Sequence, residues 1–145
     1  MPLTIDMTQA LAGLQIIARM NIEPFLAEVG AKETAAIQKR ITESKVSPEA
    51  EAWSPWRPMT SRLREAKGNA AQGLLWDTGA LLNSMRFDVS LFEVAIGTDI
   101  RYAQELQEGR AGPQPMAARP FVGWSPADIA GVEFSAIAYI DGFMK

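Results

Sequence analysis

The side chains with chemistry to offer in this sequence are carboxylates: Asp77, Asp88, Asp99, Glu105, Glu108 and Asp128 run through its second half. A pair of such acids, one protonated and one ionised, can carry hydrolysis by general acid–base work. The 145 residues include no His and no Cys, which removes imidazole-assisted nucleophiles, thiolates, disulfides and the common zinc ligand sets. There is also no phosphate-binding glycine loop. The acids fall at helix caps and on exposed helix faces, the ordinary places for acids. A carboxylate hydrolase is therefore a minor reading, and no catalytic residue, cofactor or metal ligand is assigned.

Most of these acids belong to one stretch, residues 74–109, in which elements follow each other almost without spacer. Asp77 or Thr78 can cap a short helix over about 79–84. Met85, Phe87, Val89 and Leu91 then alternate with polar residues, and Phe92, Val94 and Ile96 do so again. This period of two predicts strands over about 85–90 and 92–97, paired as an antiparallel hairpin with a tight turn. Gly97, Thr98 and Asp99 end the second strand and start a helix over about 99–108, which stops at Gly109.

The flanking segments are helical and loop-rich. An Asp6, Gln9 capping-box spacing and apolar residues at helical intervals predict a first helix over about 7–20. Pro24 starts a second, over about 22–44, whose stripe is Ile22, Phe25, Leu26, Val29, Ala36 and Ile37. Glu33 falls inside that stripe. Its carboxylate is expected to reach solvent or a nearby Lys, or alternatively an Arg or Lys of a neighbouring subunit. Residues 45–73 read as loop, with three prolines up to Pro58 and with Trp53 and Trp56 as anchors. Aromatic residues between prolines could instead form a peptide or glycan groove. Within this loop, residues 61–73 read as mobile or as a short frayed helix. Residues 109–124 form a second loop, short of core-forming side chains up to Ala118. Ser125, Pro126 and Asp128 then give the clearest helix start, for a helix over about 126–143. Its apolar side is Ile129, Val132, Ala136, Ile137, Ile140 and Phe143, with Phe134 and Tyr139 pointing elsewhere as candidate subunit contacts.

The whole predicts a single α+β domain over residues 1–145, an antiparallel hairpin or small sheet packed by two or three longer helices, with long Pro/Gly-rich loops. A net charge of -3, well mixed along the chain, gives no footprint for duplex DNA or an anionic membrane. No apolar run reaches membrane-spanning length and no secretion signal is visible, so the cytoplasm is the expected compartment.

Four blocks resemble the phage virion morphogenesis family, the tail-completion proteins of Mu-like and related contractile-tailed phages. Ser47, Pro48 and Glu49 with Trp53, Ser54 and Pro55 resemble its Pro-acid and Trp-x-Pro crossing. Thr78, Gly79, Leu81 and Ser84 resemble its Thr-Gly-x-Leu-x-x-Ser helix start. Ile96, Gly97, Thr98, Tyr102, Ala103, Gln107 and Gly109 resemble its strand end and Tyr-Ala helix. Ala118, Arg119, Pro120, Phe121, Gly123, Ser125 and Asp128 resemble its Ala-Arg-Pro-Phe-x-Gly-x-Ser-x-x-Asp run. The sequence departs from the pattern at Ala50, where the family often has Gly, and at Leu106, where it often has His.

The resemblance implies a structural protein, not an enzyme, that completes the tail and supports head–tail joining as a ring or ring-associated oligomer. A tail terminator or head–tail connector subunit is the neighbouring alternative. Its partners would be further copies of itself and phage tail or neck proteins, with no membrane and no sequence-specific nucleic acid. The implied location is the host bacterial cytoplasm during assembly, with the virion tail or neck beyond that. Arg119, Pro120, Phe121, Trp124, Tyr102, Glu33, Phe134 and Tyr139 are the candidate assembly contacts. Arg119 would hold the base of the 109–118 loop, which becomes fixed when a neighbour docks.

Overall fold

Two long helices and a hairpin carry the architecture. The structure, a computed structural model, describes residues 8–145. Helix α1 spans Thr8–Arg19 and α2 spans Glu23–Lys39. The expected Asp6 cap lies outside the described residues. Pro24 stands in the first turn of α2, where its missing N–H costs nothing and its fixed φ suits a helix. At Arg40–Ser44 the helix widens into a π-helical turn, and Lys45, at a φ of 55°, ends it with its N–H on the Arg40 carbonyl at 2.9 Å. Such turns recur at functional positions because they re-aim side chains. Here the turn contains Arg40 and Ile41, both buried.

Helix α4 (Ala80–Ser84), strands β1 (Arg86–Val89) and β2 (Val94–Gly97), and helix α5 (Ala103–Glu108) follow in the expected order. The strands are antiparallel, with Phe87 opposite Ile96 and Val89 opposite Val94. They are shorter than their alternation suggests. Ser90 to Glu93 form the turn, closed by the Ser90 N–H on the Glu93 carbonyl at 2.9 Å, so Leu91 and Phe92 project into solvent. Of the residues expected at the caps, the threonines bond the following backbone, Thr78 taking the Ala80 N–H at 3.3 Å and Thr98 the Ile100 N–H at 3.2 Å, whereas Asp77 pairs with Arg64 and Asp99 with Arg86.

Helix α2 touches both the hairpin and the last helix, α6 (Pro126–Met144). The hairpin comes close because residue 30 is Gly: a Cβ there would lie 2.4 Å from the Phe87 ring. Ser125 and Asp128 form a reciprocal capping box at the start of α6, the Ser125 hydroxyl taking the Asp128 N–H at 3.1 Å and the Asp128 carboxylate the Ser125 N–H at 2.9 Å. The face of α6 that packs inward is rotated from the expected one. Ser135, Val132 and Tyr139 turn toward the body, while Ile129, Ile137 and Ile140 are exposed. An apolar side chain on nearly every face hides the true seam, because periodicity no longer marks it.

The α+β expectation holds. Helix α3 (Pro58–Lys67) lies inside the stretch read as loop, where a short frayed helix over 61–73 was the alternative, and it starts earlier than that. Pro58 is at its start, not a breaker, and Gly68 ends it at a φ of 75°. Arg, Leu, Met, Glu and Lys are good helix formers, and a helix that buries only Arg64 needs no apolar stripe. The core gathers Ile37, Ile41, Trp53, Leu81, Met85 and Phe121 from distant segments.

One departure in the sequence has a structural counterpart. Ala50 adopts a φ of 66° in the turn that closes the Val46–Ala52 bridge, with its N–H on the Ser47 carbonyl at 2.9 Å. A left-handed conformation strains any residue with a Cβ. Ala50→Gly is expected to stabilise the fold by about 1 kcal/mol, read as a rise of a few degrees in melting temperature.

Candidate functional site

The irregular segments 45–57, 73–79 and 109–125 present many backbone carbonyls without a ladder to satisfy them. Buried and half-buried cations take that role. Arg119 donates from Nε to the Ser54 carbonyl at 2.8 Å and from Nη2 to the Pro55 carbonyl at 3.0 Å, and its own N–H reaches the Leu106 carbonyl at 2.7 Å. Burial pulls its pKa below the usual arginine range. Arg64 donates from Nη2 to the Gly73 and Trp76 carbonyls at 2.9 and 2.5 Å, lies over the Trp56 ring, and stands 2.5 Å from Asp77. Lys45 reaches the carbonyls of Ile41, Gln72 and Leu74, and burial lowers its pKa, with Arg64 adding to the effect. A guanidinium suits this work because its planar fork reaches several acceptors at fixed angles.

Arg40 is the hub. From the π turn, Nη1 donates to the Phe121 carbonyl at 2.6 Å and the Gly123 carbonyl at 3.4 Å, while Nη2 pairs with Asp128 at 3.2 Å. The same Asp128 carboxylate caps α6. One side chain thus joins α2, the 119–124 segment and the last helix. Gln107 completes the clamp: its amide oxygen accepts from the N–H groups of Phe121 and Val122 at 3.0 and 3.1 Å, and its nitrogen donates to the Val122 carbonyl at 2.9 Å. Trp53 closes the far side through its indole N–H to the Pro120 carbonyl at 2.8 Å.

This placement changes the role of several candidate contacts. Phe121 is 1 % exposed and belongs to the core, so it cannot be a docking surface. Arg119 also faces inward. Tyr139 packs against Phe25 and Phe143 and donates its hydroxyl to the Asn21 carbonyl, an internal contact where a subunit contact was expected. Trp124, Tyr102 and Phe134 remain outside, and Phe134 is 75 % exposed. The carbonyl at Pro120 is taken by Trp53, and Trp56 is half-buried beneath Arg64. Sequence reasoning passed over Arg40, although it follows Glu33 and Ile37 on the same helix face at positions i+7 and i+3. It also passed over Arg64, whose burial nothing local reveals, and the half-buried Lys45.

Glu33 departs furthest from expectation. Its side chain reaches neither solvent nor a lysine: it is 5 % exposed, and Oε1 has no hydrogen-bond donor. Lys32, next in sequence, is held instead by Glu28 at 2.5 Å and the Ser135 hydroxyl at 3.0 Å. Burial, with repulsion from Asp128, raises the Glu33 pKa to about 7 against the opposing pull of Arg40. The folded chain therefore binds a proton that the unfolded chain releases between the ordinary 4.5 and about 7. Stability from this group is complete below the lower value and is lost as pH rises through the upper one. Glu33→Gln should match the parent at about pH 5 and exceed it by about 2 kcal/mol at about pH 8, measured by urea unfolding at both.

Two of the surface concavities among the described residues bear on these groups. The larger, about 810 Å³, is lined by Trp56, Arg57, Arg64, Tyr102, Met116 and Arg119 among others. The smaller, about 180 Å³, lies between α2 and α6 with Glu33 and Asp128 in its lining. Among the described residues, no three acids group as a metal site would require. Asp77, Asp99, Glu105 and Asp128 each pair with an arginine.

A family model for phage virion morphogenesis matches residues 5–140 of the 145. The chain belongs to the phage virion morphogenesis family. No curated protein and no solved structure matches it. Family membership makes it a structural protein of phage morphogenesis. Arg119, Phe121 and Asp128 of the Ala-Arg-Pro-Phe block, and Gln107 of the Tyr-Ala helix, are the residues that lock the segment between α5 and α6. No helix among the described residues is long and apolar enough to cross a membrane.

Proposed function

We propose that this family member completes the phage tail and supports its joining to the head, acting as an oligomer in the host cytoplasm and not as an enzyme. The observation that supports it is the outer surface of α6. Phe134 and Ile137 are 75 % and 63 % exposed, with Ile129, Phe143 and Met144 also open, on a helix that is apolar nearly all round. A helix of that kind is normally covered on every side. Within the family's morphogenetic role, contact with further copies and with tail or neck proteins would cover it. The clamped 119–124 segment suits a rigid part that docks without rearrangement.

Electron microscopy of particles from the encoding phage or prophage, with this reading frame deleted and then restored, tests the reading. Deletion should leave full heads beside separate or abnormal tails, and restoration should rejoin them. Intact particles after deletion would refute the completion role.

A further inference from the structure

Building on the assembly reading above, we infer that the cavity between α2 and α6 receives Arg62 of a second copy of this chain, making a head-to-tail contact. The cavity holds about 180 Å³, roughly one long side chain. At its inner wall stands the Glu33 carboxyl, buried and without a donor for Oε1. The buried cation beside it, Arg40, already holds two carbonyls and Asp128, and Lys32 is tied at the mouth to Glu28 and Ser135. The outer wall includes Trp124, whose ring is 45 % exposed and can face a cation. An unsatisfied carboxyl in a cavity that an open aromatic side chain also lines asks for a guanidinium or ammonium group.

The rim continues along α6 as Ala127, Gly131, Phe134 and Ala138, spaced i, i+4, i+7 and i+11 and all exposed. A Cβ added at Gly131 would meet nothing, so the trough beside Phe134 is open. Helix α3 carries the matching surface. Met59, Arg62, Leu63 and Ala66 follow i, i+3, i+4 and i+7, all are exposed, and no ion pair among the described residues holds Arg62. That face combines apolar contact for the Phe134 trough with one cation for Glu33. No residue of α3 lines the smaller cavity, so the two surfaces are separate on one chain. A contact between unlike surfaces is heterologous, and it builds a ring where the rotation it imposes closes.

The chain has no cysteine, so introduced thiols are the only ones present. Ala66→Cys and Ala127→Cys, placed in one chain and treated with a short bifunctional maleimide, should give a ladder of dimers, trimers and higher species. The same two substitutions in separate chains, mixed, should stop at a dimer. Arg62→Glu in the double-thiol chain should slow cross-linking about ten-fold or more, whereas Arg62→Lys should retain it; the arginine is exposed, so folding is not at issue. Glu33→Gln should slow it by a similar factor without lowering the melting temperature. A double-thiol chain that stays monomeric, cross-links only to other phage proteins, or ignores Arg62→Glu would overturn the proposal. If the unsubstituted protein restores the deletion phage while the ladder is absent, the contact is wrong and the completion role stands. If the ladder forms and deletion leaves particles intact, the contact stands and that role fails.

Discussion

Replacing Arg40 by methionine should destabilise the fold by about 3–5 kcal/mol, the usual effect of removing one partner from a buried pair. The change leaves Asp128 without its cation and the Phe121 carbonyl without its 2.6 Å donor. Each unpaired buried group adds its own desolvation cost. Lysine should recover only part of the loss, because one ammonium cannot reproduce a fork that holds carbonyls and a carboxylate together. Urea unfolding of the three proteins at about pH 7 reads the difference, and a loss under about 1 kcal/mol would show that Arg40 is not the hub. Removing Arg40 also removes an attraction that lowers the Glu33 pKa. The pH dependence described for Glu33 should therefore shift to still higher pH in Arg40→Met.

Phe121→Ala is expected to cost about 3–5 kcal/mol as well, for a different reason. The ring is among the most buried in the chain and shares its core with Ile37, Ile41 and Trp53. Truncation opens a cavity where segments from five parts of the sequence meet, and none of them is free to collapse inward. The backbone around it is held by Gln107, Arg40 and Trp53, which fixes the cavity walls. Phe121→Leu should lose distinctly less. Because Arg40 binds the carbonyl of Phe121 itself, the two substitutions should not add: a double-mutant cycle should give a coupling of about 1 kcal/mol or more. Additive losses would mean that the polar clamp and the apolar core act independently.

Elements whose signal lies in neighbouring residues were legible in the sequence. Ser125, Pro126 and Asp128 announce α6, and the alternation from Met85 to Ile96 announces the hairpin, because caps and pleats are local chemistry. The strand ends were overrun because Leu91 and Phe92 are apolar yet occupy the turn. Helix α3 was read only as one alternative for residues 61–73, and without its first turn, because Pro58 reads equally as a breaker and as a first residue, and an exposed helix has no stripe to disclose it. The site was only half visible. Glu33 drew notice as a charge in an apolar stripe, but its isolation depends on Arg40 bonding elsewhere and Lys32 reaching Ser135, a hundred residues away in sequence. Tyr139 was assigned outward because α6 is apolar on several sides, and only packing against Phe25 selects the inner one.

The central claim, that this chain finishes tails for joining to heads, is tested most directly by infectious titre. A lysate made without this reading frame should contain few infectious particles, and adding the purified protein should raise the titre by orders of magnitude as stored heads and tails join. A titre already normal before the addition would contradict the account.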